Sequence, residues 1–370
     1  MVSGENIVVL GQIKALNAYG HEVKLFSRHT DIEQKKFFFA ARSGYRVISG
    51  SGFNFKKDIK NFNPDLVLVH NLFPNISSRW LERVTARRVI FLHNFRPWCS
   101  NGNMLRDGKH CQKCLQNRFW GTIYRCAKGS LFRSFIQSLG QVFNNYLFRL
   151  EKSGATIVAV SEASQEKIRE FNSISRLEVL SHFVSVPEGL ISLTLPDGHS
   201  ALNQFVWTGR VSKEKGLAEL LKIWPDCFRL DVYGGGPELR ILTKTYEGKS
   251  NITFKGTVSN EILTEKLPHY WGLVNSSTWL ESGPMTVIEA LSAGVPIIFP
   301  TTLPIGLLIT KNKAGIAYSF TDSISLMSAL KEISNPKNRR AYQVSAYNLF
   351  VSQFSIEKWY KSLMEIYRKP

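Results

Sequence analysis

Acid is what this sequence has least of. Its 370 residues include 29 Asp and Glu against 47 Lys and Arg, a formal net charge of +18. A field of that sign attracts polyanions, and charge alone leaves nucleic acid, anionic lipid headgroups and phosphorylated substrates all open. Long apolar runs are missing too, since none approaches the roughly 18 residues a membrane-spanning helix needs. The opening MVSGENIVVL has neither a basic n-region nor a cleavage site, so the expectation is no signal peptide and a cytoplasmic chain. Cysteine is scarce, at five residues. Four of them, Cys99, Cys111, Cys114 and Cys126, form a C-x11-C-x2-C-x11-C series. Without a secretion signal such a series favours reduced thiols or a metal over disulfides. The C-x2-C knuckle is a zinc half-site that the other two thiolates, or His110 as a substitute, could complete. Such a zinc would be structural, because four protein ligands leave no open position. The alternative is four reduced thiols in a loop. Cys227 is expected in the core.

What is there reads as globular, with 44% hydrophobic and 21% charged residues. The length suits two domains. Short β-rich runs alternate with helical patterns, which implies parallel sheets covered on both faces. The first half gives strands at His21–Phe26, Asp65–His70, Arg88–His93 and Ala155–Val160. The second gives Gln204–Thr208, Phe228–Tyr233, Ile252–Lys255, Trp271–Asn275 and Pro296–Pro300. Amphipathic segments such as Glu5–Tyr19 and Ser161–Phe171 lie between them, with Ser161 placed as an N-cap. The rhythm breaks at SVPEGLISLTLPDGHSALN, which reads as a linker. The expected division is 1–184, a linker at 185–203, a second domain at 204–352 and a C-terminal helix at 353–370 packing back towards the first domain.

The second domain holds the stronger chemistry. In FVWTGRVSKEKG a buried strand runs into Gly209, Arg210, Lys215 and Gly216, and a helix follows. Strand, glycine turn and helix N-terminus make an anion site, where Arg210 can grip a phosphate bidentately and Lys215 adds a point charge. The alternative is an ordinary turn with two solvated cations. In LDVYGGGPEL three glycines follow a strand, but the dinucleotide fingerprint is not met. In NSSTWLESGPMTVIEALSAGVP, Glu281 precedes a turn at Ser282, Gly283 and Pro284 that opens a helix through Met285 and Thr286. Glu289 lies within that helix, eight positions after Glu281. A carboxylate can accept both hydrogen bonds of a ribose diol, and a helix N-terminus can take a phosphate or a sugar hydroxyl.

These motifs together resemble family 4 glycosyltransferases, which have the GT-B fold of two Rossmann-like doubly wound α/β domains facing a cleft. The family's E-x7-E matches Glu281 and Glu289, its G-R-x4-K-G matches Gly209, Arg210, Lys215 and Gly216, and its glycine turn matches Val232–Pro237. The resemblance implies a retaining sugar transfer from a nucleotide-sugar donor to a glycan or lipid-linked acceptor, with no metal required for catalysis. It implies that Glu289 binds the ribose, that Arg210 and Lys215 hold the diphosphate, and that Gly283, Pro284, Met285 and Thr286 contribute to the donor site. Glu281 would face the donor sugar, approached by His93 from the strand end in FLHNFR. A strand-end histidine bonded to backbone is the plainer reading of His93, and His70 in LVLVHN shares that ambiguity.

The resemblance continues more loosely at Ser3-Gly4-Glu5 and Gly20-His21-Glu22-Val23, where Gly4 would lie near the donor phosphates. A β-strand normally precedes that glycine loop, and here the loop begins at residue 3, so the first sheet is expected to lack its first strand. Ser181-His182-Phe183-Val184 stands where relatives often carry Asn-Gly. Arg118–Leu150 is basic and aromatic, and reads either as an amphipathic face for an anionic membrane surface or as a packed helix with a solvated basic side. The rival functions are an inactive or scaffold GT-B protein and a basic nucleic-acid-binding protein. No zinc-finger, RNA-binding or helix-turn-helix signature supports the latter, so no nucleic acid is expected as a partner.

Overall fold

A computed structural model describes residues 4–171, 174–185 and 204–369. Apart from Ser185, the expected linker lies outside the described residues. The chain divides into two compact units. The first runs to Ser181 and takes in the residues from Tyr360 onward, and the second is His182–Trp359.

The first unit is built on four parallel strands, β1 (Leu66–Val69), β2 (Arg87–Leu92), β3 (Thr156–Ala159) and β4 (Leu177–Val179), in that spatial order. The central strands β2 and β3 are buried along almost their whole length, and after Arg87 and Arg88 the run of β2 is apolar, as a sheet covered on both faces requires. Helix Glu162–Phe171 follows β3, and Ser161 caps it by accepting the Ser164 N–H at 3.2 Å. Helix Gly4–Ala18 opens the described chain.

The strand expected at His21–Phe26 does not form. These residues join no ladder, and Leu25 is exposed. Their hold on the unit comes from side chains: Phe26 packs on Phe55 at 5.4 Å, and Lys24 lies over the Phe26 and Phe62 rings. β-propensity expresses fit to a pleated, partnered surface, and this run has no partner.

The second unit holds six parallel strands: β5 (Gln204–Thr208), β6 (Arg229–Tyr233), β7 (Ile252–Gly256), β8 (Leu273–Val274), β9 (Ile297–Pro300) and β10 (Gly315–Tyr318). Their order is β10-β9-β8-β5-β6-β7. Along β5 the side chains alternate between two cores. Phe205 and Trp207 join Leu217, Leu230 and Leu330 on one face, while Val206 joins Leu273, Ile288 and Ile297 on the other. Asp322 caps helix Ser323–Ser334, and Asn335 caps Pro336–Gln353 with proline in its first turn, where a missing N–H costs nothing.

This order fixes where a ligand can sit. The chain winds outward from β5 through β6 to β7, then returns to β8 on the other side and winds outward to β10. The direction reverses between β5 and β8, and the carboxyl ends of strands at such a switch point diverge to leave a crevice. The loop ends are drawn together there backbone to backbone. A Cβ on Gly234 would stand 1.8 Å from the Gly209 carbonyl oxygen, and one on Gly236 would stand 2.3 Å from that of Val211. Gly234 also has φ +137°, a conformation side chains rarely adopt. We expect Gly234→Ala to lower the melting temperature by several degrees, read by circular dichroism. An unchanged melting temperature would mean that the two loops are not held in this contact.

Candidate active site

The loop after β5 carries Gly209 and Arg210. The Arg210 side chain is exposed, and among the described residues no carboxylate pairs with it. Lys215 ends a short 3-10 turn, and Gly216 follows at φ +66° with its α-carbon so near the Ser276 carbonyl that a Cβ would lie 2.0 Å from that oxygen. Helix Leu217–Lys222 begins there. Thus the end of β5 and the end of β8 pack against each other through main chain. Ser276 locks them: its hydroxyl accepts from the Trp207 indole at 2.7 Å and donates to the Lys215 carbonyl at 2.7 Å.

Glu281 is buried, and its carboxylate is paired with Lys215. The Ser277 hydroxyl donates to its other oxygen at 2.6 Å, and the Lys215 ammonium also lies 5.6 Å from the Trp279 ring centre. Lys215 and Glu281, expected to act separately on diphosphate and sugar, therefore meet each other in the free protein. Removing one partner of such a pair leaves a buried charge uncompensated.

Pro284 stands at the N-cap of helix Met285–Ser292, which has no side-chain cap. Helix geometry leaves the Met285 and Thr286 N–H groups without intrahelical acceptors, and Met285 and Thr286 are half-exposed beside the half-exposed Gly283 and the buried Pro284. Glu289 comes one turn later, half-buried, with Asn260 donating to its carboxylate at 3.3 Å. Burial pushes this carboxyl above its ordinary value, and the Asn260 bond opposes the shift only in part. Below the sheet, Tyr270 donates to the buried Asp231 at 2.7 Å and meets the Tyr233 hydroxyl at 3.0 Å. Burial and these two neighbours push the Tyr270 phenol far up, so it stays a neutral donor.

In the first unit His93 follows β2 and His70 follows β1. Their rings meet through His70 Nδ1 and His93 Nε2 at 2.9 Å, and His70 stacks on Phe91 at 4.5 Å. Both line a cavity of about 110 Å³ with Arg96, Phe73 and Gln141. Gly4 is the first residue of helix Gly4–Ala18, and Val2 and Ser3 lie outside the described residues.

Cys99, Cys111, Cys114 and Cys126 lie near enough to act on one another's ionisation. Among the described residues no three His, Cys, Asp or Glu side chains are placed to hold a metal ion, and all five cysteines are free. Cys99 donates to the Asn101 side chain at 2.9 Å, and Cys114 bonds the main chain at Ser100 and Gly121. Burial, then the neighbouring Cys114, Cys99 and Cys111, pushes the Cys126 thiol up to about 11. His110 is exposed. Cys227, expected in the core, is exposed beside the buried Phe228.

Two family models match the chain. That for Glycosyltransferase Family 4 covers residues 2–186, and that for glycosyl transferases group 1 covers 199–367. The chain belongs to family 4 of the glycosyltransferases. Solved structures with the GT-B fold agree. Sucrose-phosphate synthase from Thermosynechococcus elongatus superposes with a TM-score of 0.65 at 15% identity, over 99% of this chain and 93% of that one. Anabaena Alr3699/HepE in complex with UDP gives 0.59 at 13%, over 98% and 95%. TarM, from S. aureus, gives 0.59 at 13% over 85% of this chain, which spans only 57% of TarM's length. No curated protein matches.

Within this family 4 chain, the motifs that carried the resemblance all fall at one switch point. Ser276 and Ser277, which brace Lys215 and Glu281, were not singled out in the sequence. The signal available was the polar run Asn275–Ser277 at the end of a buried strand, a place where polar side chains must have partners. Two measurements check these groups. Because folding raises the Glu289 value above 4.5, the folded state pays nothing below that pH and loses stability as pH rises through the raised value. Glu289→Gln should therefore melt higher than the parent at neutral pH, with the gap closing towards pH 4.5; a gap independent of pH would contradict the burial effect. With a value of about 11, the Cys126 thiol should be about a thousandth ionised at pH 8. Iodoacetamide should then label exposed Cys227 first, and equal rates at pH 8 would show that Cys126 is not shielded.

Proposed function

We propose that this chain transfers a sugar from a nucleoside-diphosphate sugar to a hydroxyl of a glycan or lipid-linked acceptor, with retention of anomeric configuration, in surface polysaccharide assembly. The observation that carries the proposal is the set of groups at the β5/β8 switch point. Arg210 is exposed and unpaired by acid, an uncapped helix N-terminus begins at Met285, and a carboxylate stands at Glu289. Cation and helix N-terminus suit a diphosphate, and the carboxylate suits a ribose diol. Anabaena HepE has been solved with UDP and with UDP-glucose, and S. aureus TarM with UDP and α-GlcNAc-glycerol; at these identities the likeness is one of fold, and the donor chemistry rests on this chain's own residues.

The developing charge on the leaving diphosphate is met by Arg210, Lys215 and the helix N-terminus, so a divalent ion is not needed for it. No D-x-D pair follows a strand in the sequence. Glu281 is engaged by Lys215 and Ser277, which suits positioning the transferred sugar rather than attacking it. A departing phosphate oxygen then helps deprotonate the acceptor hydroxyl on the same face. Proton NMR of the product should show the donor's anomeric configuration, with activity persisting in excess chelator. An inverted product, or activity lost to chelator and restored by magnesium or manganese, overturns the mechanism. Arg210→Ala is the cleaner test of the diphosphate role, since removing Lys215 also strands Glu281. It should weaken UDP binding about ten- to a hundredfold while leaving uridine binding unchanged. Equal losses for both ligands would make Arg210 structural.

A further inference from the structure

The first unit contains a helix that is inside out. In Leu131–Phe143 the buried positions are Ser134, Ser138 and Gly140, whereas Leu131, Phe132 and Phe143 are exposed by 54%, 67% and 66%. A surface helix of a water-soluble protein does the reverse. Ser134 accepts from the Ala127 N–H at 2.9 Å, Ser138 bonds the Thr122 hydroxyl and the Arg118 carbonyl at 2.9 Å, and Gly140 packs closely against helix Phe39–Ser49. Gly44 lies against Ile136, Gly140 against Val47, and Gly50 against Asn144, so the two helices run parallel and their N-terminal ends share one edge. At that edge Phe37 and Phe38 are 81% and 68% exposed, next in line to Leu131 and Phe132. Of the nine exposed Phe and Tyr side chains among the described residues, eight lie in segments 34–57 and 108–150.

The same two segments contain no acidic residue, while they hold six and seven Lys or Arg respectively. Arg42, Arg125, Lys128 and Arg133 are exposed there. Of the carboxylates beside them, Glu33 is buried and held by Lys36 at 2.7 Å, a bond that with Arg46 and Arg28 nearby lowers its value, Glu82 pairs with Arg149 at 2.8 Å, and Asp107 is exposed beside Arg106. Aromatic side chains standing among exposed cations on acid-poor segments match an anionic bilayer, whose headgroups take the cations while the rings enter the boundary beneath. Nucleic acid would use the cations but offers little to exposed aliphatic side chains such as Leu131 and Ile123. No helix among the described residues is long and apolar enough to cross a membrane, so the contact would be peripheral.

We propose that the paired helices Phe39–Ser49 and Leu131–Phe143, with the Phe37-Phe38 turn, form a docking surface for an anionic lipid bilayer. The test is co-sedimentation of the full chain with vesicles of phosphatidylcholine alone and of phosphatidylcholine with about one-third phosphatidylglycerol. Binding should require the anionic lipid and fall with salt. Phe37→Ser combined with Phe132→Ser should weaken it at least about tenfold with an unchanged circular dichroism spectrum. Arg42→Glu with Arg133→Glu, which leaves the packed face untouched, should do the same. No binding to anionic vesicles, or full binding by both double variants, would overturn the proposal. So would a protein dimer that the Phe variants dissolve, or oligonucleotide binding that outcompetes the vesicles.

Discussion

Main chain packed against main chain at the ends of β5, β6 and β8 is the constraint on which the candidate site depends. Gly234 and Gly236 lie against the carbonyls of Gly209 and Val211, and Gly216 lies against that of Ser276. These are distances at which no side chain fits, so the approach selects glycine rather than tolerating it. Once the loops are that close, Arg210, Lys215, Glu281 and the start of helix Met285–Ser292 share one corner of the sheet. The Ser276 hydroxyl, bonded to both Trp207 and the Lys215 carbonyl, turns this closeness into a fixed register between strands that are 61 residues or more apart in sequence.

Charge is handled in two ways. At the switch point it is paired: the Glu281 carboxylate has both Lys215 and Ser277, while the Arg210 side chain is exposed and among the described residues meets no carboxylate. A buried pair of this kind contributes little net stability, because desolvation offsets attraction, but it holds each member in place. Elsewhere cations collect without local acid, as segments 34–57 and 108–150 show, although Lys36 and Arg149 reach Glu33 and Glu82 outside them. Exposed cations cost little in water and are screened by salt. Their collection in one unit gives that unit a field that a uniform distribution would not.

Much of this was legible in the sequence where one physical requirement dominates. Strands buried on both faces must be continuously apolar, so β2, β3, β5 and β9 stood out. The glycine-cation motifs stood out because backbone approach and anion binding restrict residue types. Leu177–Val179 and Gly315–Tyr318 were missed, the first because three residues carry no period and the second because it opens with glycine. His21–Phe26 was misjudged because alternation shows capacity to pair, not the presence of a neighbour. The Lys215–Glu281 and His70–His93 contacts were beyond reach. Their partners are 66 and 23 residues apart, and nothing local distinguishes a cation that will meet phosphate from one that already holds a carboxylate.

The inside-out helix follows from the same use of small residues as the switch point. Gly140 and Gly44 let helices Leu131–Phe143 and Phe39–Ser49 approach closely, and Ser134 and Ser138 bond segment 118–127, so small residues hold the inner faces and leave no volume there for the aromatic side chains of that helix. They must stand outside. Each exposed Phe forgoes about 1.5–3 kcal/mol of burial in water, a loss that a soluble chain with other sequences available would avoid. The loss ends where the rings are covered. An interior of close-packed small residues and an exterior of aromatic and basic ones are thus two sides of one arrangement, in which the packing that stabilises the helix pair also prepares its outer face for a surface that water does not provide.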